Sequence, residues 1–252
     1  MNGLHLRSAI VCIAAISFVS PILSAQDFNL TVGKHEVVES KILGEKRDIL
    51  VSVPRPMKPN VPLLVVLDGE WTFTKVAIIV DHLVGNGRLP PMVVAGIVNT
   101  NRGRDLTPTF QGGELADGPS DRFLSFISDE LIPQLAAEYP IGKYRILAGH
   151  SNGGMFSLYA FIRRPDLFQA NIALSPSYGL DDRFAAHLGR AIAAPNSSPR
   201  FVRMSRCQMH FTSMHHESTH IHGQIRDANR NTDYCQQPVR KIGINNRVEI
   251  VE

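Results

Sequence analysis

No run of lysine or arginine appears anywhere in these 252 residues, and the formal net charge is only +3. Scattered cations without a basic stripe give no electrostatic footprint for nucleic acid, so no nucleic-acid partner is expected. Cysteine is scarce, with three residues at Cys12, Cys207 and Cys235. The last two do not by themselves establish a bridge, although an oxidising compartment would permit one. The apolar segment from Ser8 to Leu23 falls short of the roughly 20 residues that a transmembrane helix needs. Neither an internal repeat nor a low-complexity linker divides the chain, which leaves one globular domain as the expectation.

The N-terminus carries a pattern of its own. Arg7 precedes the apolar stretch, and Leu23-Ser-Ala25 closes it with small residues before Gln26. A basic start, an apolar middle and a small-residue end read as a secretory signal peptide over residues 1–25. An uncleaved anchor is the alternative. The expected location is secreted or periplasmic, with no stable membrane insertion once the signal is removed.

Beyond it, Asn29–Val38 and Arg47–Val53 read as a pair of antiparallel strands. Leu63-Leu-Val-Val-Leu67 and Pro91–Val98 are continuous apolar runs of the kind buried on both faces of a sheet. Phe73–Leu83 has helical spacing, and a polar loop is expected from Asn99 through Gly118. Phe123, Ile127, Leu131 and Leu135 place one buried face on a helix from about Arg122 to Tyr139. Phe168–Leu174 reads as a strand and Phe184–Ala193 as a helix. Two strands followed by alternating strands and helices predict a mostly parallel sheet, helices on both faces and an antiparallel N-terminal entry.

The most informative stretch is Arg145-Ile-Leu-Ala-Gly-His-Ser-Asn-Gly-Gly154. An apolar strand, Gly149-x-Ser151-x-Gly153 and a helical segment from Met155 together describe a tight strand-to-helix turn with a serine at its apex. Ser151 is the expected nucleophile. The same turn aims the backbone N–H of Asn152 at the site, from the positive end of the helix. A second oxyanion donor is expected from the turn after the Leu63–Leu67 strand, Asp68-Gly-Glu70, with the N–H of Glu70 as the candidate.

Several segments in series carry a family resemblance. They are Leu63–Gly69, Asn101-Arg-Gly-Arg-Asp-Leu-Thr-Pro108, Phe123–Pro133, Gly149–Gly154, and Pro165–Phe168 with Leu174-Ser-Pro-Ser177. In them the chain resembles the Putative esterase branch of the α/β-hydrolases, which includes enterochelin esterase-like, S-formylglutathione hydrolase-like and mycolyltransferase-like proteins. The resemblance implies an α/β-hydrolase fold and a serine ester hydrolase acting on a small-molecule ester, with no metal or organic cofactor. It also places Arg102, Arg104 and Asp105 in a loop near the site, where they either shape the pocket or pair among themselves.

A serine hydroxyl needs a base within hydrogen-bond reach. In this fold the histidine follows the nucleophile in the chain, which leaves His187, His210, His215, His216, His220 and His222. In the family the base sits late, in a Glu-x-His-like context, and Glu217-Ser-Thr-His220 makes His220 the expected base. Asp181, Asp182 and Glu217 are open as the acid. His216-Glu-Ser-Thr-His220 also has the letters of a zinc motif, but such a site needs a helix and a third ligand. The pattern therefore divides into a signal (1–25), an α/β-hydrolase core (26–203) and an atypical C-terminal segment (204–252) rich in histidine. The function expected is an exported serine carboxylic-ester hydrolase acting through an acyl-enzyme. A degenerate, non-catalytic relative lacking its base and an acyltransferase on the same fold remain as alternatives.

Overall fold

The computed structural model describes residues 30–55, 57–177, 182–193, 201–205 and 247–251. The signal-peptide reading, both mature cysteines and His220 lie outside these residues. Ten strands are assigned among them: β1 Lys34–Ser40, β2 Glu45–Ser52, β3 Val61–Val66, β4 Val93–Ile97, β5 Thr109–Gln111, β6 Glu114–Ala116, β7 Ile141–His150, β8 Ala170–Leu174, β9 Phe201–Ser205 and β10 Arg247–Val251. The helices are α1 Gly69–Gly85, α2 Arg102–Leu106, α3 Pro119–Phe126, α4 Ile132–Glu138, α5 Asn152–Arg163 and α6 Asp182–Ala193. The main sheet runs β1-β2-β4-β3-β7-β8-β9-β10. Within this sheet only β1–β2 and β2–β4 pair antiparallel, and the run β4-β3-β7-β8-β9-β10 is parallel throughout. This is the α/β-hydrolase fold, with the antiparallel entry that the sequence predicts.

Strand alternation sets the two faces. Leu63, Val65 and Leu67 join one buried cluster with Phe123, Leu131, Phe156 and Phe184 from α3, α5, α6 and the segment between α3 and α4. Leu64 and Val66 point to the other face and pack with Phe73, Ala77 and Val80 of α1. A strand buried on both sides has no polar face, which is why β3 reads as an unbroken apolar run.

Three expectations need correction. The polar stretch from Asn99 to Gly118 is not loop throughout: it holds α2, capped by the Asn101 side chain on the Arg104 N–H, and the β5–β6 hairpin. The long helix starts at Pro119 and passes through a π-turn at Ile127–Leu131, where the Ile132 N–H bonds the Ile127 carbonyl. Pro133 follows at once; it lacks an N–H and its ring would crowd the carbonyl four residues back, so the wider turn accommodates it. The first helix begins at Gly69, earlier than the apolar spacing indicates, and this brings its first turn to the end of β3. β9 was not anticipated, and it runs across the position at which the sequence pattern changes.

Among the described residues Arg47 is the largest fully buried side chain, at 1% exposed. It shares the inward face of β2 with Ile49 and Val51. Its Nη2 donates to Asp105 Oδ2 at 2.5 Å and lies 2.6 Å from Glu45 Oε1. The rings of Phe123 and Phe126 lie 5.1 and 5.9 Å from its guanidinium carbon. This anchors α2, and with it the neighbouring Arg102, to the sheet.

Candidate active site

β7 ends at His150 and α5 starts at Asn152, leaving Ser151 alone at the apex with φ 57° and ψ −118°. A non-glycine residue held at positive φ is strained, and such strain persists only where the surroundings fix it. Here the Ser151 N–H donates to the Leu174 carbonyl at 2.9 Å, and its own carbonyl accepts from Met155 at 2.9 Å and Ser177 at 3.2 Å. The glycine before the apex is required by contact. A Cβ on Gly149 would lie 2.3 Å from the Gly153 backbone, closer than any real side-chain carbon approaches. As the first residue of α5, Asn152 has an N–H without an intrahelical acceptor, and none of the described residues supplies one.

The second turn lies beside the first. The Leu67 N–H bonds the Ala148 carbonyl at 3.0 Å, so the ends of β3 and β7 are side by side. Asp68 follows in the left-handed region, φ 56° and ψ 47°. Its carboxylate Oδ2 would sit 3.2 Å from a Cβ on Gly153. The Asp68 carbonyl takes the N–H groups of Trp71 and Thr72, both at 3.0 Å. The Gly69 and Glu70 N–H groups bond no acceptor among the described residues.

A cation ties these turns together. Arg102 donates from Nε to Asp68 Oδ1 at 2.6 Å, from Nη2 to Asp68 Oδ2 at 3.0 Å and from Nη2 to the His150 carbonyl at 3.3 Å. The bond to the Asp68 carboxylate holds the guanidinium pKa above its ordinary value, against the opposing effect of burial. Asn99 donates to the same carboxylate at 2.8 Å and to Glu70 Oε1 at 2.7 Å. The Trp71 indole lies 5.9 Å from the Arg102 guanidinium carbon. Arg104 and Asp105 do pair, at 2.7 Å, as one of the two sequence readings has it, but Arg102 joins the site instead.

The Ser151 side chain faces another hydroxyl, with Ser177 Oγ 2.8 Å from its Oγ. Ser177 lies in the Leu174–Ser177 motif, and sequence reasoning assigned it no role. His187 is engaged elsewhere: its Nε2 lies 3.3 Å from Glu114 Oε2 and 3.4 Å from the Gly113 carbonyl, and its Nδ1 lies 2.9 Å from Arg190 Nη2. His150 is exposed at the end of β7, with its carbonyl rather than its ring in the network. His220, the base expected from the sequence, falls outside the described residues, as do the other late histidines and the zinc-motif letters. Among the described residues no cluster of metal-ligating side chains forms, and no helix is long and apolar enough to cross a membrane.

The arrangement joins a strained serine at a strand-to-helix turn to two helix-start amides across adjacent parallel strands. The sequence profile of the family described as Putative esterase matches residues 40–239. The chain belongs to that family. Ferri-bacillibactin esterase BesA of Bacillus subtilis is 29% identical over 175 residues, covering 58% of this chain and 60% of that protein. The siderophore triacetylfusarinine C esterase of Aspergillus fumigatus is 31% identical over 142 residues, covering 52% and 49%. The aligned part thus spans half to three fifths of these relatives. Among solved structures, an IroE-like serine hydrolase from Shewanella oneidensis superposes with a TM-score of 0.62 at 28% identity, over 69% of this chain and 60% of that one. The BES protein of Bacillus cereus, at 20% identity, shares the fold over 92% of this chain with a TM-score of 0.64.

Proposed function

We propose that this chain is an exported serine carboxylic-ester hydrolase that works through an acyl-enzyme on Ser151. In this reading residues 1–25 direct export, residues 26–203 form the catalytic core, and the segment from 204 supplies the base, His220. The hydroxyl of Ser151 attacks the ester carbonyl as His220 takes its proton; the negative charge on the carbonyl oxygen is held by the Asn152 and Glu70 N–H groups. Collapse expels the alcohol, which receives the proton from His220, and water then releases the acid by the same steps in reverse. No cofactor enters this chemistry.

The observation that carries the reading is the strained Ser151 turn, with the Asn152 and Glu70 amides, which bond no acceptor among the described residues, starting helices beside it. The class of ester follows from the relatives, one named as a ferri-bacillibactin esterase and another as a siderophore esterase. A small ester of siderophore type is accordingly proposed as substrate. The test is turnover of a short-chain p-nitrophenyl ester by the purified chain and by Ser151→Ala. The reading expects hydrolysis that disappears in the variant, and a folded wild type without turnover contradicts it.

A further inference from the structure

An aspartate just before a helix ordinarily turns its carboxylate back onto the N–H of the second or third helical residue. Asp68 holds that position before Gly69, but in a left-handed rather than the usual extended backbone, and its side chain makes no such bond. The Trp71 N–H is already taken by the Asp68 carbonyl, so the amide a capping carboxylate would reach is that of Glu70. The carboxylate is held elsewhere, by Arg102 through two bonds and by Asn99 through a third, and Asp68 is only 3% exposed.

We propose that Arg102 is a positioning residue that keeps the Asp68 carboxylate off the first turn of α1 and so leaves the Glu70 N–H free to receive the oxyanion. The inference rests on the esterase reading above. Two physical effects follow from the one contact. The first is steric access, because an amide that caps its own helix cannot also donate to a substrate. The second is electrostatic: a buried, unpaired carboxylate beside the site would repel the charge that develops on the carbonyl oxygen, and Arg102 neutralises it. The third bond of Arg102, to the His150 carbonyl, fixes this turn against the residue before the nucleophile. Arg102 is held for the task from behind: Asn101 caps the short helix α2, and the Arg47–Asp105 pair fastens that helix to β2.

The experiment compares wild type, Arg102→Met, Arg102→Lys and the pair Asp68→Ala/Arg102→Met in the full chain. It reads p-nitrophenyl ester kinetics and amide hydrogen exchange at Glu70. Loss of an oxyanion donor typically lowers kcat by about 100-fold or more. Arg102→Met is expected to show a drop of about that size with KM changed less than about threefold, together with slower exchange at Glu70. Removing the misplaced carboxylate in the pair is expected to return at least about tenfold of kcat and to restore fast exchange, which a merely structural loss would not do. Arg102→Lys, which keeps the charge without the fork, should fall between and covers the case of Arg102→Met failing to fold. Equal impairment of the single and paired variants, a loss carried by KM, or unchanged exchange at Glu70 overturns the proposal. If the wild type shows no turnover, the esterase reading fails, while exchange at Glu70 still decides the positioning of Asp68.

Discussion

The hydroxyl oxygens of Ser151 and Ser177 lie 2.8 Å apart, and the Ser177 N–H reaches back to the Ser151 carbonyl at 3.2 Å. The Leu174–Ser177 loop therefore grips the apex residue from both its side chain and its backbone. A serine hydroxyl is no base at neutral pH, so in the proposed mechanism Ser177 would orient Ser151 without activating it. Ser177→Ala keeps the backbone bond, and ester turnover is expected to stay within about tenfold of wild type, the range of one lost neutral hydrogen bond. A loss as deep as that of Ser151→Ala, measured side by side, would assign Ser177 a larger part.

The turn itself has no room for a side chain. In Gly149→Ala the added carbon would meet the Gly153 backbone at 2.3 Å, so β7 and α5 must move apart. Overpacking of this kind typically costs about 1–3 kcal/mol. A lower urea midpoint is expected, with ester turnover lost more steeply than stability, because Ser151 shares the displaced turn.

Arg47 and Asp105 are each 1% exposed and bonded to one another. Removing one partner of such a pair leaves a buried charge uncompensated, which typically costs about 3–5 kcal/mol. Arg47 keeps Glu45 at 2.6 Å when Asp105 is removed, so Asp105→Ala is expected to lose less than that full cost by denaturant unfolding. Arg47→Met/Asp105→Ala should be more stable than Asp105→Ala alone, since Glu45 and Arg104 still pair at 2.7 Å.

Glu45 adds a pH dependence. The hydrogen bond from Arg104 is the main cause that lowers its pKa below the ordinary 4.5, with the charge of Arg47 adding to it against burial. A carboxylate with a depressed native pKa stabilises the fold above its unfolded pKa and loses that contribution as pH falls through the native value. Glu45→Gln should melt below wild type at neutral pH. The two melting curves should converge as the pH drops below about 4.5. A gap that persists at low pH would mean that packing, not charge, holds this corner.

Much of this architecture is legible in the residues, for stated reasons. β3 is an unbroken apolar run because both its faces are covered, and Gly149–Gly153 marks the turn because two backbones pass where no side chain fits. Even the buried Arg47 obeys the alternation of β2, sharing parity with Ile49 and Val51. What was hidden depends on distant partners or short elements. α2 is only five residues, with Leu106 its one apolar side chain, and is stabilised by its Asn101 cap and by the Arg47–Asp105 pair. The Arg102–Asp68 contact spans 34 positions, and no local pattern distinguishes it from the loop pairing that Arg104 makes with Asp105. Asp68-Gly69 did hold a signal for the second turn, since the glycine backs onto Gly96 and Ile97, where a Cβ would fall 2.8 Å from their carbonyl carbons.

The proposed mechanism requires Ser151 to be an activated nucleophile in the full chain. A fluorophosphonate probe forms a covalent bond only with such a serine, and peptide mass spectrometry locates the adduct. One adduct per chain is expected on the peptide bearing Ser151, absent in Ser151→Ala. A folded wild type that takes no label, or takes it at another residue, would contradict it.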